Sequence, residues 1–345
     1  MARITERENY LMLSKGEVPH WVPKMSYGYD KNGTYPEPTG MIFSSVIPMQ
    51  RGEPGKPYKD YWGIEYTPTV ETGGAALPTP GRFILEDITK WHEVVKAPDL
   101  SDVNWELVCK RDLDNLYFDR NESALTYGTH VGYFQLLMNF MGFTEGLCAM
   151  YEEPDAVKEF MEYLCDFFSL ITEKTIDYYK PDIFNCTDDM ATANDPFISV
   201  EMYRDLVKPF HARQCNIAAD RGIPVAMHNC GRCEDYILDW MDFGVKYWDP
   251  AQYMNDLVAV KEKFWKEYNF SIVGGFDLHY PAGHPSVTED SVREEVRRLI
   301  DTLAPGGGYV FAGGAMVGIG DTDAERVNRW IFDEVDTYGR NFYNK

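Results

Sequence analysis

The chain has 345 residues, a length that suits two ordinary domains or one large α/β barrel with a substantial apolar core. Its 33 basic and 55 acidic residues give a formal net charge of −22, which disfavours nucleic acid and anionic membrane surfaces as partners. No apolar run approaches the roughly 20 residues that span a bilayer, and the first residues do not resemble a signal peptide, so we expect a cytoplasmic protein.

Cysteine and aromatic content add two expectations. The seven cysteines are an odd number spread over a long chain, unlike the framework of a small disulfide-rich secreted protein, so we expect free thiols. Aromatic residues make up 14% of the chain, a content that fits a pocket walled by rings and equally fits a tyrosine-rich surface.

From about residue 123 the chain alternates short β-prone runs with longer amphipathic helices. The β-prone runs are 124–129, 182–187, 223–228, 245–248, 271–276 and 308–312. The helical stretches are 138–151, 155–178, 199–221, 234–243, 257–268, 289–303 and 323–338. Ser199 and Thr288 are typical N-cap residues at the starts of two of these helices. The alternation predicts a parallel sheet with helices packed outside it.

Before residue 123 the pattern is less regular, with frequent proline and glycine. Two weaker strands near 24–29 and 61–66 bring the total to eight, which predicts a (β/α)8 TIM barrel with its chemistry at the C-terminal ends of the strands. An open doubly wound sheet is the alternative. We expect one domain over residues 1–345, with a less regular part at 1–120 and a regular part at 121–345.

An imidazole and a thiol stand two residues apart at the end of one predicted strand. Residues i and i+2 of a strand share a face, so His228 and Cys230 can converge on one ion, and this pair suits zinc. Cys233, at the predicted start of the next helix, is a further candidate ligand, because a thiol at a helix N-terminus tends toward the thiolate. The alternative interpretation is a hydrogen-bonded histidine beside small buried cysteines.

Polar residues recur at the other predicted strand ends. In a barrel these ends meet at one mouth, and their clustering favours an enzyme, although an aspartate there can also cap a helix or occupy a turn. The residues are Thr129, His130, Cys186, Thr187, Asp188, Asp189, His228, Cys230, Asp249, Asp277, His279, Gly313 and Gly314.

The glycine-rich run at 306–320 does not indicate a dinucleotide site. A nucleotide fingerprint follows the first strand of its fold, whereas this run leaves too little chain for the remaining strands. Close backbone approach to a ligand, or tight packing at the barrel rim, explains the glycines better.

Four segments resemble the uroporphyrinogen decarboxylase superfamily, and most of all its corrinoid-dependent methyltransferase branch. They are 188–210 (DDMATANDPFISVEMYRDLVKPF), 227–231 (MHNCG), 274–277 (GGFD) and 307–311 (GGYVF). The resemblance covers roughly residues 120–340 and implies a (β/α)8 barrel with its active site in the mouth.

Two departures narrow what the resemblance implies. The arginine-rich N-terminal signature of true uroporphyrinogen decarboxylases is missing from residues 1–66, which argues against porphyrinogen decarboxylation. Members that activate a thiol hold zinc with His-x-Cys and a further cysteine on a late strand, but residues 311–316 contain none. Cys233, Asp188 or Asp189 is then left to complete a zinc site.

The remaining branch resembles the first methyltransferases of anaerobic O-demethylation. These enzymes move the methyl group of a methoxylated aromatic to the Co(I) corrinoid, a cobalamin, of a partner protein. The resemblance implies Zn2+ at His228 and Cys230, which activates the ether oxygen. Our candidates for catalysis are His130, Asp188, Asp189 and His279, and those for substrate binding are Thr129, Asp277, Gly313 and Gly314.

Three alternatives stay open. The first is a zinc-dependent methylcobamide:thiol methyltransferase, and the second is a metal-free decarboxylase that works through an aspartate. The third is a binding or scaffold protein without enzymatic activity. A homodimer is compatible with the sequence.

Overall fold

The computed structural model describes residues 3–30, 33–48, 52–69, 76–128, 132–316, 318 and 321–344. Its strands are β1 (Lys24–Met25), β2 (Thr39–Ile42), β3 (Tyr58–Lys59), β4 (Glu65–Pro68), β5 (Ala76–Pro78), β6 (Ala124–Gly128), β7 (Ile183–Thr187), β8 (Val225–His228), β9 (Val245–Ala251), β10 (Ser271–Gly275) and β11 (Tyr309–Ala312). Its helices are α1 (Glu6–Leu11), α2 (Trp91–Val94), α3 (Trp105–Asp114), α4 (Tyr133–Met141), α5 (Phe143–Glu152), α6 (Pro154–Tyr179), α7 (Val200–Leu206), α8 (Lys208–Ala219), α9 (Ile237–Met241), α10 (Leu257–Tyr268), α11 (Glu289–Leu303) and α12 (Thr322–Thr337).

Eight of the strands form a nearly closed parallel barrel in the order β1, β11, β10, β9, β8, β7, β6, β2. From β6 onward each barrel strand pairs with the next along the chain, and helices lie between them, which is the alternation that the sequence predicts. The barrel prediction is confirmed, and the open doubly wound alternative is wrong.

The predicted strand near 61–66 is not part of the barrel. Tyr66 belongs to β4, which pairs antiparallel with β3 and β5 in a separate small sheet, and its ring stacks on that of Tyr58. The second barrel strand is β2, which pairs with β6 in parallel. Its sequence, Thr-Gly-Met-Ile, is short, carries a glycine and lies among prolines and glycines, so it does not stand out as a strand.

The barrel is open on one side. Within the described residues no ladder joins β1 to β2, and the described part of the connection between them, residues 26–38 without 31 and 32, forms no helix. Tyr27 follows β1 with a φ of 52°, so the chain leaves the strand direction well before residue 29, where the sequence pattern predicts its end.

Several predicted helices are divided. The stretch at 138–151 belongs to two helices, the first of which begins upstream at Tyr133, and they meet at Gly142, whose φ is 90°. The stretch at 199–221 breaks between α7 and α8 at Val207, two residues before Pro209. The stretch at 234–243 is a short 3-10 turn followed by α9. Ser199 and Thr288 cap α7 and α11 as predicted.

The barrel interior is filled largely by small or branched side chains, which are Ala124, Ile183, Ala226, Val273, Val310 and Ala312. Tyr10 of α1 stacks on Tyr247 of β9 with ring centroids 4.9 Å apart, and Leu13 joins the same cluster. Small interior residues next to this aromatic pair leave room for a cavity within the barrel. None of the helices in the described part of the chain combines the length and apolarity needed to cross a bilayer.

Candidate active site

The C-terminal end of β8 brings an imidazole and a thiol together. His228 is the last residue of β8 and Cys230 follows two residues later, and the distance from His228 Nε2 to Cys230 Sγ is 3.8 Å. The two side chains therefore share one face of the chain, as the spacing predicts.

A carboxylate from the neighbouring strand completes the group. Asp189, two residues beyond the end of β7, places Oδ1 at 4.0 Å from His228 Nε2. The same oxygen accepts a hydrogen bond from the Cys230 backbone N–H at 2.7 Å, and Oδ2 accepts one from Gln135 Nε2 at 3.2 Å. One potential ligand atom from each of Asp189, His228 and Cys230 lies within 4.8 Å of the other two.

The donor set fits zinc. Imidazole nitrogen, thiolate sulfur and carboxylate oxygen are its usual protein ligands, and three protein ligands are typical of a catalytic zinc site. Zn–N and Zn–S bonds of about 2.1 and 2.3 Å at a tetrahedral angle separate the two ligand atoms by roughly 3.6 Å. The observed separation of 3.8 Å between His228 and Cys230 is close to that value.

Asp249 at the end of β9 faces the other nitrogen of the imidazole. Its Oδ2 lies 3.9 Å from His228 Nδ1, and its Oδ1 accepts a hydrogen bond from the Tyr27 hydroxyl. Burial lowers the pKa of His228, but Asp249 and Cys230 outweigh burial and hold that pKa well above its usual value. A carboxylate in this position orients a histidine ligand and increases its basicity.

Cys230 is also shifted toward its protonated form. Burial raises the pKa of the thiol, and His228 only partly opposes the shift. Both shifts favour the protonated side chains, so a metal ion that binds there must displace protons.

Cys233 does not lie in the group formed by Asp189, His228 and Cys230, and its selection as a metal ligand stays a prediction. Its side chain is fully buried, and Sγ is directed to the backbone carbonyl oxygens of Asn229 and Gly231 at 3.4 and 3.7 Å. Burial raises the pKa of the Cys233 thiol well above its usual value, which disfavours the expected thiolate. The helix that was expected to stabilise it begins with a 3-10 turn, which offers a weaker N-terminus than an α-helix.

Asp188 is a structural residue behind the site. It is completely buried, and it accepts hydrogen bonds from the backbone N–H groups of Phe134 and Gln135 at 2.9 and 3.0 Å, at the start of α4. His211 Nε2 lies 3.0 Å from its Oδ2. Its oxygens are engaged by these donors, which fits a positioning role, and its predicted role in catalysis stays a prediction.

Asp277, His279, Gly313 and Gly314 do not join the metal-binding group. Asp277 Oδ1 accepts a hydrogen bond from the His279 backbone N–H at 2.8 Å in a turn after β10, and the His279 side chain is exposed. A Cβ on Gly313 would meet Phe276 at 3.2 Å, and one on Gly314 would meet Asn328 Oδ1 at 2.8 Å. These glycines are explained by packing. Thr129 and His130 lie outside the described residues.

A cavity of about 920 Å³ occupies the barrel interior and extends to the open side between β1 and β2. Its wall reaches Asp249 but none of the three candidate ligands, so Asp249 connects the cavity to the group formed by Asp189, His228 and Cys230. Six aromatic residues line it: Tyr10, Tyr27, Tyr35, Phe43, Tyr117 and Phe118. Aromatic residues thus line a pocket, which is one of the two interpretations of the high aromatic content.

Sequence reasoning missed Tyr27, Asn185 and most of the cavity wall. Asn185 was detectable in principle, because it precedes Thr187 by two positions in β7 and therefore shares its face. Tyr27 gave no such signal, because it follows a two-residue strand in an irregular segment.

Comparison with known proteins identifies the family. No curated protein matches the chain. A solved structure of a methyltransferase from Methanosarcina mazei superposes with a TM-score of 0.61 at 12% sequence identity, covering 97% of this chain and 100% of that one, which establishes a shared fold. The family model described as uroporphyrinogen decarboxylase matches residues 91–338, well over half of the chain. The chain therefore belongs to the uroporphyrinogen decarboxylase family.

Proposed function

We propose that this protein is a methyltransferase that moves the methyl group of a methoxylated aromatic to the Co(I) corrinoid of a partner protein. The observation that carries the proposal is the Asp189, His228 and Cys230 group beside a barrel cavity walled by aromatic rings. The sequence resemblance to corrinoid-dependent methyltransferases supports it, as does the shared fold with a protein named as a methyltransferase.

The chemistry requires activation of the ether oxygen. In the transfer the CH3–O bond breaks, its electron pair stays on the phenolate oxygen, and the Co(I) of the partner supplies the pair for the new bond to carbon. Phenolate is a poor leaving group, so a Lewis acid or proton donor at the oxygen lowers the barrier. A zinc ion held by His228, Cys230 and Asp189 would supply that polarisation.

The residues of this chain would position the substrate and the zinc ligands and shield the ether from water. Tyr27 holds Asp249 by a hydrogen bond, and Asp249 lies on the Nδ1 side of His228, where a carboxylate favours one orientation of the ring. The aromatic side chains of the cavity hold a ring by stacking and keep water from the ether. The reactive electron pair belongs to the corrinoid, so the protein contributes binding and orientation.

Metal analysis of anaerobically purified protein tests the site. We expect about one zinc per chain in the wild type, and its loss in His228→Ala, because a site with two remaining ligands holds zinc weakly. Cys233→Ala is the matched control, because it removes a nearby thiol that faces backbone carbonyls, and it should retain zinc. Equal zinc in the wild type and His228→Ala would place the metal elsewhere.

Methyl transfer is tested with a panel of methoxybenzenes. Demethylation should require the reduced corrinoid protein and fall at least roughly a hundredfold in His228→Ala, as expected for loss of a Lewis acid. Turnover without corrinoid would contradict the proposal. Full demethylation after stringent chelation would contradict the role of zinc. Release of CO2 from a carboxylated substrate by the chelated protein would favour the metal-free decarboxylase, and zinc-dependent thiol binding with proton release would favour the thiol methyltransferase.

A further inference from the structure

The interior cavity has acidic walls. Its described lining includes five carboxylates, and no lysine, arginine or histidine is present among the same residues. The carboxylates are Asp30, Glu37, Asp119, Glu122 and Asp249. The cavity that would hold the methyl donor therefore presents negative charge and aromatic surface together.

Arg340 lies over the ring of Tyr35 and pairs with Glu6. Two other basic side chains close to this wall pair with carboxylates of the wall itself. Lys24 is 6% exposed, and its Nζ lies 2.5 Å from Asp30 and 3.0 Å from Asp336. Arg3 pairs with Glu122 at 3.1 Å. Neither cation lines the cavity, so neither offers a free donor to an incoming anion.

Of the remaining three carboxylates, Asp249 faces His228, and the other two are held by neutral donors. Glu37 accepts hydrogen bonds from the backbone N–H and the hydroxyl of Ser26, and Asp119 accepts from the backbone and side-chain amides of Asn121. These bonds fix both side chains in the wall, and burial raises the pKa of Glu37 above its usual value. A ligand carboxylate that entered the cavity would meet like charges at short range.

We propose that the cavity selects methoxylated aromatic donors with neutral or positively charged ring substituents and rejects methoxybenzoates. The inference rests on the proposed function and defines its substrate class. Aromatic walls bind a neutral ring by stacking, and together with carboxylates they favour an ammonium group. A methoxybenzoate needs a cationic partner, such as an arginine fork, which the described wall lacks.

A matched series of ligands tests the inference by calorimetric titration of the purified protein without the corrinoid partner. The compounds 4-methoxybenzoate, 4-methoxybenzyl alcohol and 4-methoxybenzylamine share the ring and the ether and differ in charge. We expect the benzoate to bind at least roughly tenfold more weakly than the alcohol, and the amine at least as tightly as the alcohol. Added NaCl should reduce the differences in affinity among the three compounds, because salt screens the charges.

A variant pair links the preference to the wall. Met41 of β2 lines the cavity and is half-buried. Met41→Lys should strengthen benzoate binding and weaken amine binding, whereas Met41→Gln, a neutral side chain of similar length, should keep the wild-type order. Circular dichroism spectra of both variants are compared with that of the wild type to check that they fold.

The outcomes separate this inference from the proposed function. Benzoate binding as tight as that of the alcohol overturns the charge selection and leaves methyl transfer from aryl ethers standing. An unchanged affinity for the benzoate in folded Met41→Lys protein overturns the charge selection as well. Failure of all three compounds to bind overturns both proposals. The expected order of binding without any corrinoid-dependent turnover supports the cavity assignment and contradicts the methyl transfer.

Discussion

Asp188 and Asp189 are adjacent in the sequence and differ completely in their surroundings. The side chain of Asp188 is 0% exposed and bonds to the start of α4, whereas that of Asp189 is 33% exposed and contacts His228 and Cys230. Consecutive side chains point in different directions, so one aspartate supports the scaffold and the other reaches the site. The sequence offers both as candidates, and only their partners separate them.

The buried pair of His211 and Asp188 predicts a pH-dependent stability. Burial lowers the pKa of His211, but the interaction with Cys186 and the hydrogen bond to Asp188 outweigh it, so the pKa is raised above 6.5. The folded state therefore prefers the protonated imidazole. Its contribution to stability is fully present below pH 6.5 and is lost as the pH rises through the folded pKa.

Urea unfolding of the wild type and His211→Gln between about pH 5.5 and about pH 9 measures this effect. The free energy of unfolding of the wild type should exceed that of the variant by the largest margin at the acidic end, and the margin should shrink as the pH rises. A margin that stays constant or grows with pH would contradict the protonated pair.

Helix α11 shows how a local signal is expressed in the fold. Thr288 accepts a hydrogen bond from the Ser291 backbone N–H at 3.2 Å, and Ser291 Oγ accepts one from the Thr288 backbone N–H at 3.0 Å. This reciprocal capping satisfies two N–H groups that an uncapped helix leaves without partners. Residues within three positions of each other produce it, which is why the start of the helix is readable in the sequence.

Thr288→Ala should lower the free energy of unfolding by about 1 kcal/mol, the usual cost of losing an N-cap. Thr302→Ala in the same helix is the matched control, because its hydroxyl bonds only to the Arg298 carbonyl within the helix. Its effect should stay within about 0.5 kcal/mol of zero. The midpoints of urea unfolding measure the stability of both variants. An equal loss of stability in Thr288→Ala and Thr302→Ala would show that the hydroxyl of Thr288 does not act as a cap.

At the scale of the whole molecule, the net charge of −22 opposes folding through self-repulsion. Salt screens that repulsion, because the Debye length falls from about 30 Å at 0.01 M to about 10 Å at 0.1 M. We expect the melting temperature to rise by a few degrees over this range of NaCl. KCl at the same concentrations should raise the melting temperature by the same amount. A melting temperature that falls with added salt would mean that attractive ion pairs dominate.

The sequence by itself determined the features that depend on near neighbours. The alternation of strands and helices from residue 123 predicts the barrel, cap residues mark helix starts, and the two-residue spacing places His228 and Cys230 on one face. Period, capping and spacing act over a few residues, so they are written in the local pattern.

Tertiary structure alone decided which distant residues meet. Asp189 reaches the backbone of Cys230 across 41 residues, and Tyr27 reaches Asp249 across 222. The packing of separate segments also decides three other features. They are the use of β2 as a barrel strand in place of residues 61–66, the burial of Cys233, and the acidic wall of the cavity. No local period encodes such contacts, because they follow from closing the whole barrel around a common interior.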